Sequence, residues 1–228
     1  MKIKDNIAKE FNEFSKNYTN DMIGCVPYYL DLMSCFTENL PIGFSPKQIL
    51  DLGCGNGNVT ALLLKKFPDA TYTLVDASQE MIALCQKQFQ TYTINCVESY
   101  FQDFSFKEEN YDLVVAGFSL HHCNSNEKRV LFRKIYSSLI KGGIFACSDL
   151  MIGKKDPEHA KLKAQWKLFV HKTFPNGMKW QWLMEHYNEF DKPDNFSNQK
   201  KWLKEAGFSN IKNTSRKNYW VHFQAIKI

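Results

Sequence analysis

Apolar residues recur along this chain with two different periods, and the switch between them sets out the architecture. Over residues 5–18, Ile7, Phe11, Phe14 and Tyr18 stand four, three and four apart, the spacing of one face of an amphipathic helix. Pro27 suits the first turn of a second helix, with Leu30, Met33 and Phe36 on one face. From Lys47 onward, short apolar runs alternate with helix-length amphipathic stretches. The pattern predicts strands near 48–52, 71–75, 92–97, 111–116 and 144–150, and helices near 57–66, 78–89 and 127–140. Gly142–Gly143 reads as the stop of the last of these helices. Short strands separated by helices of this length imply parallel βαβ units with right-handed crossovers.

After residue 150 the rhythm changes. Residues 156–190 read as helical and are crowded with aromatics, and all five tryptophans (166, 180, 182, 202, 220) fall in the last third of the chain. A short helix in "NQKKWLKEAGF" ends at Gly207; two strands follow, about 209–216 and 219–227, joined tightly around Lys217–Asn218. No repeat, low-complexity tract or linker interrupts the sequence. A length of 228 residues suits one domain carrying a cap.

Composition narrows the class. With 44% hydrophobic and 23% charged residues the chain reads as globular. It has no run of 18 apolar residues to span a membrane, and "MKIKDNIAKEF" lacks the apolar stretch of a secretory signal. A cytoplasmic protein is expected. The net charge of +5 is mild and scattered, so nucleic acid is not indicated as a partner. Seven cysteines, odd in number and without a CxxC, point to buried thiols in a reducing compartment rather than to disulfides or zinc.

The chemistry concentrates in "QILDLGCGNGNVTALLLKKFPDATYTLVDASQEMI", from Gln48 to Ile82. Where a strand turns directly into a helix, residues without Cβ let the backbone take unusual dihedrals and approach a ligand closely. Gly53, Gly55 and Gly57 supply that turn. Asp76, nineteen residues after Gly57 at the end of the next strand, can accept hydrogen bonds from both hydroxyls of a ribose. The dinucleotide fingerprint would need a glycine at position 58, which is Asn58. Asp51, two residues ahead of Gly53, suits a positively charged amine instead. An amino-acid–nucleoside hybrid fits better than NAD.

"ILDLGCGNG", "YTLVDASQEMI", "YDLVVAGFSLHH" and "LIKGGIFACSDL", in that order over residues 48–150, resemble a class I S-adenosylmethionine (SAM)-dependent methyltransferase of the small-molecule type. The resemblance implies an α/β, Rossmann-like, doubly wound sheet of seven mostly parallel strands, with an antiparallel last strand and a helical cap. It implies a single domain: N-terminal helices over 1–45, a SAM-binding core over 46–150, a cap insertion over 151–195, and a last helix and strand pair over 196–228. Asp51 would then hold the methionine amino group, directly or through water, with Gly53, Cys54 and Gly55 beneath the methionine portion. Asp76 would take the ribose, Ala77 and Met81 the adenine, and Gly117 and Phe118 would lie near the sulfonium. Tyr100 stands where an adenine-binding Asp is usual, which leaves the adenine to backbone amides, to Asp103, or to stacking on Tyr100 or Phe101. Tyr18, Tyr28 and Phe118 are candidate aromatic faces for the sulfonium.

His121 is the expected general base, ahead of His122; the rival for either is a hydrogen bond within the loop. Adjacent residues seldom point at one ion, so no metal is expected there. Tyr28, Trp166 and His171 are candidates for the pocket of a small O, N or S acceptor, and S-adenosylhomocysteine would be the product. A homodimer is compatible with the sequence. "NDMIGCVPYYLDLM" and "LKEAGF" also resemble a carboxy-SAM synthase of tRNA wobble-uridine modification, but Trp202 stands where an arginine is implied and His121 where a Gln is. A non-catalytic SAM-binding module is the other alternative. No "NPPY"-like stretch follows the fourth strand, which disfavours amino-methylation of a nucleobase or glutamine.

Overall fold

The structure, a computed structural model, describes residues 4–14 and 17–228. Three helices, α1 (Lys4–Phe14), α2 (Tyr18–Cys25) and α3 (Tyr29–Glu38), lead into an alternation of strands and helices. These are β1 (Gln48–Leu52), α4 (Asn58–Lys66), β2 (Thr71–Asp76), α5 (Gln79–Gln88), β3 (Ile94–Glu98), β4 (Tyr111–Gly117), α6 (Ser125–Ser138) and β5 (Leu139–Leu150). The cap helices α7 (His159–Thr173) and α8 (Met178–Glu189) follow, then α9 (Phe196–Ala206), β6 (Ser209–Lys217) and β7 (Trp220–Ile226).

The seven strands form one sheet in the order β3-β2-β1-β4-β5-β7-β6. Neighbours from β3 to β5 pair in parallel; β7 lies antiparallel between β5 and β6. The chain winds outward from β1 and returns to β4, so a switch point opens between the ends of these two strands. Side chains alternate across the sheet. Ile49, Leu113, Val115, Ile144 and Ala146 join the core under α3, α4 and the cap, whereas Leu50, Val114, Phe145 and Cys147 join the core under α6 and α9. Apolar burial on both faces is why these strands read as nearly continuous apolar runs.

Several local expectations are corrected. The helix expected over 127–140 ends at Ser138, and Leu139 is already extended (φ −75°, ψ 144°). Gly142 and Gly143 therefore sit within β5, paired through Gly142 N–H to Lys227 O at 2.7 Å and Lys227 N–H to Gly143 O at 3.0 Å. Pro27 precedes α3 rather than occupying its first turn. Leu30 is 61% exposed, and Tyr29, Leu32, Met33 and Phe36 make the buried face. The helix expected over 5–18 is divided between α1 and α2; residues 15–16 and the side chain of Phe14 lie outside the described residues. All seven cysteines are free thiols. No helix among the described residues is long and apolar enough to cross a membrane.

Candidate functional site

The glycine turn occupies the switch point. Gly53 (φ +70°) and Cys54 both donate their N–H groups to Val75 O, at 2.8 and 3.1 Å, which folds the turn back onto β2. A Cβ on Gly53 would lie 2.3 Å from Ser119 Cβ. Ser119 comes from the loop after β4, and its hydroxyl donates to Leu52 O at 2.8 Å. Only a residue without a side chain lets the ends of β1 and β4 meet this closely. Asp76 closes the other side: its Oδ2 accepts Gly55 N–H and its Oδ1 accepts Ser78 N–H, each at 2.9 Å. Ser78 caps α5 by accepting Met81 N–H at 3.2 Å, and donates to Asn12 Oδ1 at 2.6 Å, tying α1 to the start of α5.

These elements enclose a first cavity. Of the residues implicated by the sequence, Tyr18, Gly53, Gly55, Asp76, Ala77, Met81, Tyr100, Phe101 and Phe118 line it. Ile7 and Phe11 of α1, expected only as one face of a helix, form a wall of it together with Ala8. Asp51, Cys54 and Gly117 stand behind the lining. Asp51 is fully buried; its Oδ2 accepts the Thr60 hydroxyl at 2.7 Å, and its Oδ1 has no partner. Burial raises the Asp51 pKa from 3.8 to about 7, with the Thr60 bond opposing and Asp76 reinforcing the shift. A Cβ on Gly117 would meet Val59 Cγ2 at 2.7 Å, so this glycine serves packing of β4 against α4.

A second cavity lies under the cap and shares Phe11, Tyr18, Phe118 and His122 with the first. Trp166, Trp182 and Trp220 line it together with His121, His186 and Asp191. Trp166 fulfils its indole by donating Nε1–H to Cys25 O at 2.5 Å, anchoring α7 to the end of α2. Tyr28 lines neither cavity: it is 43% exposed in left-handed backbone just before α3. His171 lines neither as well, and its buried Nε2 has no partner.

His121 and His122 sit on a short 3-10 turn, Leu120–His122, at the end of β4. Asp149 of β5 binds this turn twice, accepting His121 N–H at 3.0 Å and contacting His121 Nδ1 at 2.5 Å. Asp191, just beyond α8, approaches from the cap, held by Lys192 N–H donating to His121 O at 2.6 Å. His186 of α8 completes the group, with its Nδ1 2.9 Å from Glu10 of α1. Burial alone would lower the His121 pKa, but Asp149 and Asp191 outweigh it and hold it at about 9. Burial, reinforced by His121, lowers His122 to about 4. Burial would likewise raise Asp191, yet His121 and His122 keep it below the ordinary carboxylate value. Glu10, Asp149, His186 and Asp191 escaped the sequence reading. Only Asp149 left a trace, as an acid inside the apolar run "IFACSDL".

Comparison with known proteins agrees with this geometry. A family profile described as a methyltransferase domain matches residues 49–143, from β1 into β5. The chain is 29% identical over 147 residues to a carboxy-S-adenosyl-L-methionine synthase of Campylobacter fetus, covering 63% of this chain and 62% of that protein. It is 30% identical over 146 residues to a malonyl-[acyl-carrier protein] O-methyltransferase of Priestia megaterium, covering 61% of this chain and 49% of that protein. The chain therefore spans 49–62% of the length of these relatives. The structure of human N-acetylserotonin methyltransferase in complex with SAM superposes with a TM-score of 0.62 at 16% identity, covering 96% of this chain and 56% of that one. Strand order, glycine turn and these likenesses converge: over residues 49–143 the chain is similar to a methyltransferase domain, and its fold is shared with an S-adenosylmethionine-dependent methyltransferase.

Proposed function

We propose that this protein binds SAM in the first cavity and transfers its methyl group to an oxygen, nitrogen or sulfur atom of a small molecule in the second. The observation that carries this reading is the wall common to both cavities, built from Phe11, Tyr18, Phe118 and His122. A reaction that joins two ligands needs two adjoining compartments with their contents in reach of each other. In the first, Asp76 keeps acceptor capacity for a ribose, while Ala77, Met81, Tyr100 and Phe101 offer a slot of adenine character. The bare backbone at Gly53 and Gly55 leaves room for the methionine portion, and the unpartnered Asp51 Oδ1 beside them suits its ammonium.

The bound sulfonium supplies an electrophilic methyl group. What the chain contributes is alignment and exclusion of water, effects that provide roughly 7–11 kcal/mol when two reactants are well oriented. Phe118 is held in left-handed backbone (φ +55°) by its N–H bond to Ser148 O at 2.8 Å. Such strain in a non-glycine residue persists where a side chain must be aimed, here into the dividing wall. Aromatic rings of Tyr18 and Phe118 beside a sulfonium add a cation–π attraction of about 0.5–2 kcal/mol. The tryptophan-lined second cavity favours an apolar or aromatic acceptor with a few polar groups.

The test has two stages. Isothermal calorimetry should detect SAM binding, and mass spectrometry of co-purified ligand separates SAM from its carboxylated analogue. Incubation with panels of phenols, amines and thiols should then yield S-adenosylhomocysteine with at least one class. Failure of the folded protein to bind SAM sinks the reading; binding without turnover across the panels reduces the protein to a binding module.

A further inference from the structure

Beside the second cavity, three imidazoles surround one carboxylate oxygen. Asp191 Oδ1 lies 3.2 Å from His122 Nδ1, 3.5 Å from His186 Nε2 and 3.7 Å from His121 Nε2. Asp191 is only 7% exposed. Asp191 Oδ1 and His122 Nδ1 are both buried and 3.2 Å apart, in an alignment poor for a hydrogen bond. Buried polar atoms gathered this closely and paired this poorly call for an explanation.

We propose that His121 Nε2, His122 Nδ1 and Asp191 Oδ1 ligate a first-row divalent transition-metal ion of the zinc type. The three atoms all lie within 4.8 Å of one another. Metal–ligand bonds of about 2.0–2.2 Å place neighbouring ligand atoms of a tetrahedral site about 3.3–3.6 Å apart. The two edges at Asp191, 3.2 and 3.7 Å, bracket that value. The sequence argued against two adjacent residues sharing an ion. The 3-10 turn removes the obstacle: it sets the two rings 4.1 Å apart, and one reaches the point through Nε2, the other through Nδ1.

The surroundings are those of a metal centre. Asp149 engages His121 Nδ1 at 2.5 Å, so a proton directed there leaves the Nε2 lone pair for an ion. Glu10 engages His186 Nδ1 at 2.9 Å, and His186 Nε2 stands 3.5 Å from the same Asp191 oxygen, where it positions the carboxylate. Two imidazoles and one carboxylate leave a coordination position open toward the second cavity. Nitrogen-rich ligation selects zinc, iron(II) or cobalt(II) over magnesium and calcium, which prefer oxygen alone. An ion on Nε2 takes the lone pair that a general base would use, so ligation displaces the base role expected for His121.

The folded chain, stripped by chelator and dialysed, is titrated with cobalt(II) and followed by visible absorption, with circular dichroism recording the fold. The expected result is one equivalent of cobalt with a visible d–d band, displaced by zinc. His122→Ala and the isosteric Asp191→Asn should each weaken binding by more than about tenfold, a loss that even outer-shell partners produce. Asp76→Ala, in the other cavity, should retain it. Absence of the band in folded wild-type protein overturns the site, as does a band indifferent to both substitutions, or a thiolate-to-cobalt band that puts the ion on cysteine. SAM affinity measured on the same samples reports the first cavity separately, so a missing metal leaves the methyl-transfer reading standing.

Discussion

Removal of the Asp76 carboxylate probes the donor cavity through a countable set of hydrogen bonds. A carboxylate offers about four acceptor positions. Gly55 N–H and Ser78 N–H each occupy one, on different oxygens, at 2.9 Å. About one position per oxygen then remains, enough for the two adjacent hydroxyls of one ribose. Burial raises the pKa of this group, while the two N–H groups it accepts, from Ser78 and Gly55, pull it back. A hydrogen bond to a charged partner contributes about 1.5–3 kcal/mol, so losing two costs about 3–6 kcal/mol. At about 1.4 kcal/mol per decade, Asp76→Ala should raise the SAM dissociation constant by roughly 10²–10⁴-fold in isothermal calorimetry. Asp76→Asn keeps one acceptor oxygen but turns an NH₂ group toward a backbone N–H, and should also bind poorly. Circular dichroism and thermal melting establish that both variants fold. A dissociation constant within about tenfold of wild type would refute the ribose assignment, and with it the orientation of the ligand.

The Asp51 pKa of about 7 lies above its unfolded value of 3.8, so the stability this group contributes is complete below pH 3.8 and is lost as pH rises through about 7. Asp51→Asn should flatten that slope in urea titrations; a donor ammonium should expel the Asp51 proton at about pH 6.5, read by calorimetry in buffers of different ionisation enthalpy. Gly53→Ala puts a Cβ 2.3 Å from Ser119 Cβ at φ +70°. Left-handed strain of about 1–2 kcal/mol plus overpacking of about 1–3 kcal/mol should lower the urea midpoint clearly, and an unchanged midpoint would disprove the close approach. Trp166 packs against Trp180, Tyr187 and Trp220 at centroid distances of 5.9, 5.6 and 5.2 Å. Trp166→Ala should cost about 3–5 kcal/mol in chemical denaturation and Trp166→Phe less; equal losses would assign the effect to the Cys25 hydrogen bond instead of packing.

The strands β1, β2 and β4 and the turn between β1 and α4 were legible because their signals are local. A parallel strand buried on both faces is an apolar run, and the turn advertises itself through glycine. The start of β5 was not, because a Gly-Gly pair after a helical pattern looks like a helix stop. Only the pairing of Gly142 and Gly143 with Lys227, more than eighty residues on, extends the strand. Tyr28 and His171 were placed near the acceptor by composition of the region, whereas the turn before α3 and the path of α7 direct them elsewhere. The histidine–aspartate group is illegible for a deeper reason. Its members are drawn from α1, the β4 turn, β5 and the cap, and nothing in the spacing of Glu10, His121, Asp149 and His186 hints that they meet.

Helix α1 touches both compartments within two turns. Ile7, Ala8 and Phe11 wall the first, and Glu10 holds His186 beside the second. Swinging this helix aside to exchange one ligand dismantles the surroundings of the other. If donor and acceptor occupy the two compartments as proposed, an ordered sequence is expected, with the donor loading before the helix seats, the acceptor following, and the spent donor departing last.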